Sequence, residues 1–227
     1  MLADLLKIKK GITAIVGSGG KTSLMYQLAE ELSACGNVAV CTTTQIFVPQ
    51  HIITLIDPTE EEIQCAFENN HCICVGNKNE KGKLTACNIE FSELMNLAEY
   101  TIVEADGSRG LPLKAHAEYE PVIPAESGTT INVLGIKGIG QSIKDVCHRP
   151  QIYADILKTE MDTAVTAEMA ARVLNYENIG DLVVINQVEN QQDRINAEII
   201  ADYMDKPVYA GEIRKGHLYV CGDKRRR

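Results

Sequence analysis

The stretch that decides the fold is "AIVGSGGKTS", residues 14–23, where an apolar run meets three glycines and then a lysine followed by two hydroxyl residues. The β-branched run "ITAIV" (12–16) predicts a buried strand, and apolar residues at helical spacing after Lys21 predict a helix. A glycine-rich turn between a strand and a helix N-terminus can bind phosphate, because backbone N–H groups and the helix dipole converge there. The usual loop, G-x-x-x-x-G-K-[ST], would place glycine where this chain has Ile15.

The residues of this loop have the chemistry that a phosphate site requires. Glycines allow positive φ values and close backbone approach, the lysine reaches the β- and γ-phosphates, and the hydroxyl of Thr22 would bind Mg²⁺. The alternative, a plain turn, does not require Lys-Thr-Ser directly after the glycines. The form G-S-G-G-K-T-S is similar to the compact loop of the Mur-type peptide ligases, which bind ATP. The predicted phosphate-binding residues are Gly17, Ser18, Gly19, Gly20, Lys21, Thr22 and Ser23.

A second element, "TIVEADGS", ends another buried strand with acidic residues. Glu104 and Asp106 are predicted to hold Mg²⁺, and the N–H of Gly107 to contact a γ-phosphate. This spacing is similar to the Walker B and switch region of metallochaperone-type GTPases and dethiobiotin synthetases. The threonines of "CTTTQ" (41–45), with Thr43 as the candidate, would add a hydroxyl to the metal. Lys21, Glu104 and Asp106 are the predicted catalytic residues.

A third element, "LVVINQVEN", follows a late hydrophobic strand and is a candidate for base recognition. GTPases use N-K-x-D at this point, whereas this chain has Asn186, Gln187 and Glu189. A carboxylate accepts two hydrogen bonds from guanine and leaves adenine without that pairing, which favours GTP. The longer acid, the missing lysine and the Mur-like loop leave ATP as the alternative, and an incidental turn is a further one.

Composition limits the function classes. The chain has 227 residues, a formal charge of −9 and eight cysteines without a C-x-x-C pair. The negative charge argues against nucleic acid as a partner, and the final "KRRR" is interpreted as a solvated tail. No apolar run is long enough to cross a membrane, and the scattered cysteines favour buried thiols in a reducing cytoplasm. We therefore expect a cytoplasmic protein with no membrane partner and no cysteine metal site.

Strand-like and helical segments alternate along the chain. Near-continuous apolar strands and amphipathic helices predict an α/β fold, a three-layer sandwich with a mainly parallel sheet of the P-loop NTPase kind. We expect one domain over 1–227, with an irregular segment at 108–129 and a basic tail at 224–227. Thr59 and Glu62 of "TEEE" form a predicted capping box that opens a helix to about residue 69.

The irregular segment carries cationic side chains directly after the acidic strand end. "GSRGLPLKAH" supplies Arg109, Lys114 and His116, and His148 and Arg149 precede Pro150 at a predicted helix start. These five residues could meet an anionic substrate near the γ-phosphate. The alternative is that each is a solvated or structural side chain.

Taken together, these motifs resemble a known family. The "VGSGGKTS" loop, "TTT", "VEADGSRGLPLKAH", "HRP" (148–150) and "VVINQVEN" are similar to the YqeC-type proteins, over about residues 10–211. The resemblance implies a nucleotide-binding accessory protein in the maturation of selenium-dependent molybdenum hydroxylases, with such a hydroxylase or its maturation factors as partner. A slow NTPase, a nucleotide-gated binding module and a Mur-like ligase all stay open, and the oligomeric state is not predicted.

Overall fold

The computed structural model describes residues 1–222, so the basic tail at 224–227 lies outside the described residues. The chain forms two compact units, each assembled from separate segments. The first unit contains residues 1–15, 22–107 and 122–130, and the second contains residues 16–21, 108–121 and the described chain from 131 onward. The segment 108–121 and the glycine loop, residues 17–20 with Lys21, thus belong to the second unit.

The first unit is built on a parallel sheet with strand order β1-β6-β2-β4-β3, to which β5 adds an antiparallel hairpin partner of β4. Neighbouring strands are in parallel register, for example Val40 opposite Ile102 and Thr42 opposite Glu104. The strands are β1 (Gly11–Gly17, whose last two residues belong to the second unit), β2 (Val38–Thr42), β3 (Ile53–Ile56), β4 (Cys72–Lys78), β5 (Leu84–Thr85) and β6 (Tyr100–Glu104). The helices are α1 (Leu2–Leu5), α2 (Lys21–Leu32, whose first residue belongs to the second unit), α3 (Glu60–Phe67) and α4 (Phe91–Leu97).

The second unit has the strand order β12-β11-β10-β8, in which β8, β10 and β11 are parallel and β12 is antiparallel to β11. A separate two-stranded parallel sheet joins β7 to β9. The strands are β7 (Leu113–Lys114), β8 (Ser127–Gly135, which enters this unit at Ile131), β9 (Cys147–His148), β10 (Leu182–Asn186), β11 (Val208–Glu212) and β12 (His217–Cys221). The helices are α5 (Ile143–Val146), α6 (Pro150–Leu157), α7 (Ala167–Glu177) and α8 (Gln191–Asp202), with 3₁₀ turns at Ile136–Gly138 and Ile213–Lys215.

Local sequence signals explain where several helices begin. At α3 the Thr59 side chain accepts from the N–H of Glu62, whose carboxylate accepts in return from the N–H of Thr59, so the predicted capping box is present. Asn190 and Asp193 form the same arrangement at α8. At α6, Arg149 is the N-cap and Pro150 is the first helical residue, where its missing N–H has no partner to lose.

Each unit buries its own apolar core. Ile63, Ile73 and Val103 are fully buried in the first unit, and Ile143, Ile185 and Ile200 in the second. These residues lie on strands and on the helices that flank them, which confirms the α/β class with mainly parallel strands expected of a three-layer sandwich.

Two composition-based expectations can be compared with the structure. All eight cysteines are free thiols, and four are buried, whereas Cys35 and Cys65 are exposed. Burial raises the pKa of Cys147 to about 12 and that of Cys72 to about 11, so these thiols are poor nucleophiles at neutral pH. Within residues 1–222, no helix is both long and apolar enough to cross a membrane.

Candidate functional site

The glycine loop adopts a backbone that only glycine accommodates. Gly17, Gly19 and Gly20 have φ values of 92°, 76° and 145°. A Cβ on Gly17 would lie 2.2 Å from the carbonyl oxygen of Val133, and one on Gly19 would lie 2.4 Å from the Cα of Gly135. The loop is therefore packed against the end of β8, with no room for a side chain at these points.

Lys21 follows the glycines as the first residue of α2 and is buried, with 3% of its surface exposed. Its Nζ donates to the carbonyl oxygen of Gly17 at 2.8 Å and to Oγ of Ser108 at 3.2 Å. The Ser18 hydroxyl donates to the carbonyl oxygen of Pro112 at 2.8 Å. The ammonium is thus held against the loop, and residues 108–112 accept hydrogen bonds from both Lys21 and Ser18.

Asn186 clamps the loop from the end of β10. Its Nδ2 donates to the carbonyl oxygen of Gly19 at 2.8 Å, and its Oδ1 accepts from the N–H of Ile213 at 3.0 Å. The next residue, Gln187, has a left-handed φ of 66°, and its Oε1 would lie 2.8 Å from a Cβ on Gly135. Asn186, a base-recognition candidate, therefore lies against the phosphate-loop candidate, whereas Gln187 lies against Gly135, which itself packs on Gly19.

A second cluster, in the first unit, joins Thr22 of α2 to residues at the ends of β2 and β6. The Thr22 hydroxyl donates to Oε2 of Glu104 at 2.7 Å, and Glu104 is buried with 6% exposed. The hydroxyl of Thr42 donates to the backbone oxygen of Glu104 at 2.7 Å, which fixes the strand end that carries the carboxylate. Thr43, the metal candidate of the threonine run, instead directs its hydroxyl to the carbonyl oxygen of Val122.

The Thr22 and Glu104 pair fits a magnesium ion of the nucleotide-associated type. Mg²⁺ prefers oxygen ligands and usually combines one or two protein ligands with water and substrate phosphates. Among the residues described here, no group of three or more His, Cys, Asp or Glu side chains could hold a metal by itself. A hydroxyl and a carboxylate 2.7 Å apart suit an ion whose other ligands come from phosphate and water. Asp106 is fully buried two residues further along, and Gly107 follows it.

The structure brings three of the five cationic candidates together, pairs His116 with a different acid and has Arg109 exposed. Lys114 and His148 are register partners on β7 and β9, and Arg149 and Lys114 both contact the carboxylate of Glu120, at 3.0 and 2.9 Å. His116 lies elsewhere, with its backbone N–H 2.6 Å from Oε1 of Glu177 and its Nδ1 2.9 Å from Oε2. Sequence analysis missed Glu120, although a group of cations that is partly buried calls for a nearby acid.

Glu189, the candidate for guanine recognition, lies after β10 with 54% of its side chain exposed. Its carboxylate is 3.2 Å from Nζ of Lys137, which also contacts Asp193 at 2.7 Å. The hydrogen bond to Asp193 is the main cause that raises the pKa of Lys137, and the bond to Glu189 adds to it. Glu189 also borders an open surface depression with Arg194. Its carboxylate is therefore accessible, and its existing ion pair with Lys137 is surface-exposed and weak.

The fold and the loop define a mixed α/β protein whose buried first strand leads through an obligatory glycine turn into a helix. A family model, that of the YqeC protein, matches residues 13–151, and the chain belongs to this family. The chain is 34% identical over 154 residues to "Uncharacterized protein YqeC" of Escherichia coli (strain K12). This match covers 64% of the chain but only 60% of the length of that relative.

Proposed function

We propose that the protein binds a nucleoside triphosphate through the glycine loop, with Lys21 on the phosphates. The observation that carries the proposal is the loop itself: three glycines in conformations that exclude a side chain, and a buried ammonium held over them. Such a turn at a helix N-terminus presents backbone N–H groups to an anion, and the lysine adds a full charge. Direct titration of ATP and GTP by calorimetry tests the proposal, and binding of neither would refute it.

Magnesium would be held by the hydroxyl of Thr22 and the carboxylate of Glu104, and when bound it would neutralise charge on the phosphates. Glu104 positions Thr22 through their 2.7 Å hydrogen bond, and Thr42 holds the strand end. Asp106 and Gly107 complete the proposed set on the acidic turn. This arrangement serves phosphoryl transfer by positioning and by charge stabilisation.

Slow NTP hydrolysis during maturation of selenium-dependent molybdenum hydroxylases is the role we propose, on the basis of the family resemblance. A nucleotide-gated binding module without turnover is the second candidate, since the acidic turn 104–107 carries no glutamine to position water and low intrinsic hydrolysis is expected of such a site. Phosphate release, measured with and without a molybdenum hydroxylase and its maturation factors, separates the two. Stimulation by a partner supports the NTPase, whereas nucleotide-dependent complex formation without release supports the binding module.

The first prediction concerns magnesium. Glu104→Gln replaces the carboxylate with a neutral amide that still accepts from Thr22, so we expect triphosphate binding in magnesium to weaken by about 1.5–3 kcal/mol. Calorimetry should also show that the variant no longer distinguishes buffers with and without magnesium. Glu62→Gln is the control, because that carboxylate caps α3 in the same unit. Identical magnesium dependence in the wild-type protein and Glu104→Gln would contradict the prediction.

The second prediction concerns the base. We expect GTP to bind more tightly than ATP, because the exposed Glu189 carboxylate can accept from guanine N1–H and N2–H₂ and adenine offers neither donor. Glu189→Gln should reduce GTP affinity by about 2 kcal/mol and leave ATP affinity nearly unchanged. Competition of each nucleotide against a fluorescent triphosphate analogue measures both values. Equal or better competition by ATP in the wild-type protein would show that Glu189 does not read the base.

A further inference from the structure

The second unit contains a cluster of cationic side chains that the proposed nucleotide site does not use. We define the cation cluster as Lys114 and Arg149, which bind the carboxylate of Glu120, together with His148, the register partner of Lys114, and Arg109, whose charge acts on His148. Nζ of Lys114 is 2.9 Å from Oε2 of Glu120, and the Arg149 guanidinium reaches both carboxylate oxygens, at 3.0 and 3.3 Å. The Lys114 side chain is 1% exposed and that of Arg149 is 23% exposed, so the cluster has a buried base and an accessible rim.

The cluster has a formal excess of positive charge, since Lys114, Arg149 and Arg109 stand against the single carboxylate of Glu120. The pKa of His148 is lowered, first by burial and then by Lys114, Arg149 and Arg109, while Glu120 acts in the opposite direction. The cations therefore outweigh the carboxylate at the imidazole. This local excess contrasts with the whole chain, whose formal charge is −9. A positive site in an acidic protein favours an anionic ligand.

The backbone at the cluster is strained in two places. Arg109 and Arg149 have φ values of 53° and 64°, in the left-handed region that side-chain-bearing residues rarely occupy. Such conformations persist where the surroundings require them, often at ligand sites. Arg149 is also the N-cap of α6 and makes no side-chain capping hydrogen bond, so no side chain of the N-cap takes up the first N–H groups of that helix.

We propose that the cation cluster is a binding site for a phosphate-like oxyanion, with Glu120 as the resident counter-ion that such a ligand displaces. The planar donor fork of arginine binds a phosphate-like oxyanion bidentately as it does a carboxylate, and an oxyanion with more than one negative charge is attracted more strongly by the cations. The cluster is continuous with the glycine loop through Ser108, which accepts from Lys21 and precedes Arg109. That such an oxyanion would be a substrate alongside the nucleotide rests on the proposed function, whereas the anion site itself does not.

The test compares two buried carboxylates of the same unit by titration with inorganic phosphate at constant ionic strength. It is done in a Lys21→Ala background, so that the glycine loop does not contribute. Glu120→Gln should tighten phosphate binding about tenfold, because the competing charge is removed while the cations stay. Glu177→Gln is the matched control: it breaks the ion pair with His116 and should lower stability without changing phosphate affinity. If Glu120→Gln lowers stability without tightening phosphate binding, the pair is only structural and the proposal is overturned.

A second variant does not disturb the buried base of the cluster. Arg109 is exposed, and Arg109→Gln should weaken phosphate binding about tenfold while leaving triphosphate affinity of the otherwise wild-type protein unchanged. If Arg109→Gln weakens triphosphate binding more than diphosphate binding, the cluster belongs to the γ-phosphate and the proposal of a separate site is overturned. Failure of the wild-type protein to bind any nucleotide would refute the proposed function, and the phosphate response would still decide the oxyanion site.

Discussion

Lys21→Ala is expected to weaken nucleoside triphosphate binding by about 2–4 kcal/mol, or about 30- to 900-fold. The ammonium is buried over the loop and already lies 2.8 Å from the Gly17 carbonyl, so it needs little reorganisation to meet the β- and γ-phosphates. Alanine leaves the loop backbone intact but removes the full positive charge. Calorimetric titration with ATP and with GTP in magnesium measures the loss.

The matched control for this prediction is another lysine of the same unit that donates to backbone carbonyls. Lys206 donates to Asn178 and Gly180, and Lys206→Ala should reduce stability without changing nucleotide affinity. A Lys21→Ala variant that binds triphosphate as tightly as the wild-type protein would remove the central support for the proposed function. If Lys21→Ala and Lys206→Ala lost the same amount of nucleotide affinity, the loss would reflect a general effect on folding.

Local signals made most of the fold predictable from the sequence. The strand, glycine turn and helix around Lys21 depend on residues close to one another in the chain, and so does the capping box of Thr59. Strand β3 was not predicted from the sequence, although its residues ITLI are mostly apolar and β-branched; it is only four residues long, and the structure has these residues exposed or half-buried. Strand β12 is five residues long and owes its place to antiparallel pairing with β11. Short edge strands of this kind are specified by their partners more than by their own composition.

The candidate site was predictable only in part, from the rule that the carboxyl ends of parallel strands lie at the same edge of a sheet. This rule brings Glu104 near Thr22 across 82 residues of sequence, as the structure shows. It does not determine where each hydroxyl of a threonine run points: Thr42 donates to the backbone oxygen of Glu104 and Thr43 to the carbonyl oxygen of Val122, so the metal role of Thr43 stays a prediction. Glu120 pairs with cations from two segments that come together where β7 pairs with β9. Strands of two residues are too short to be predicted from the sequence, so this contact could not be predicted either.

Asn186→Ala is expected to lower the free energy of unfolding by about 2–4 kcal/mol, because it leaves one buried and one partly buried backbone group without their partners. These groups are the carbonyl of Gly19 and the N–H of Ile213, and Asn186 itself is only 5% exposed. Urea denaturation measures the loss. Thr166→Ala, which removes the N-cap of α7 in the same unit, is the control and should cost about 1 kcal/mol without affecting nucleotide binding.

Nucleotide competition with the same variant distinguishes a loop clamp from a base reader. As a clamp, Asn186 acts on the phosphate loop, which is common to all triphosphates, so Asn186→Ala should weaken ATP and GTP binding by the same factor. As a base reader, it would change the ratio of the two affinities and have little effect on folding. The two hydrogen bonds of Asn186 go to the loop and to the backbone after β11, so we expect the ratio to stay constant. A shift in the ratio of about tenfold or more, with stability unchanged, would contradict the clamp and assign the residue to the base.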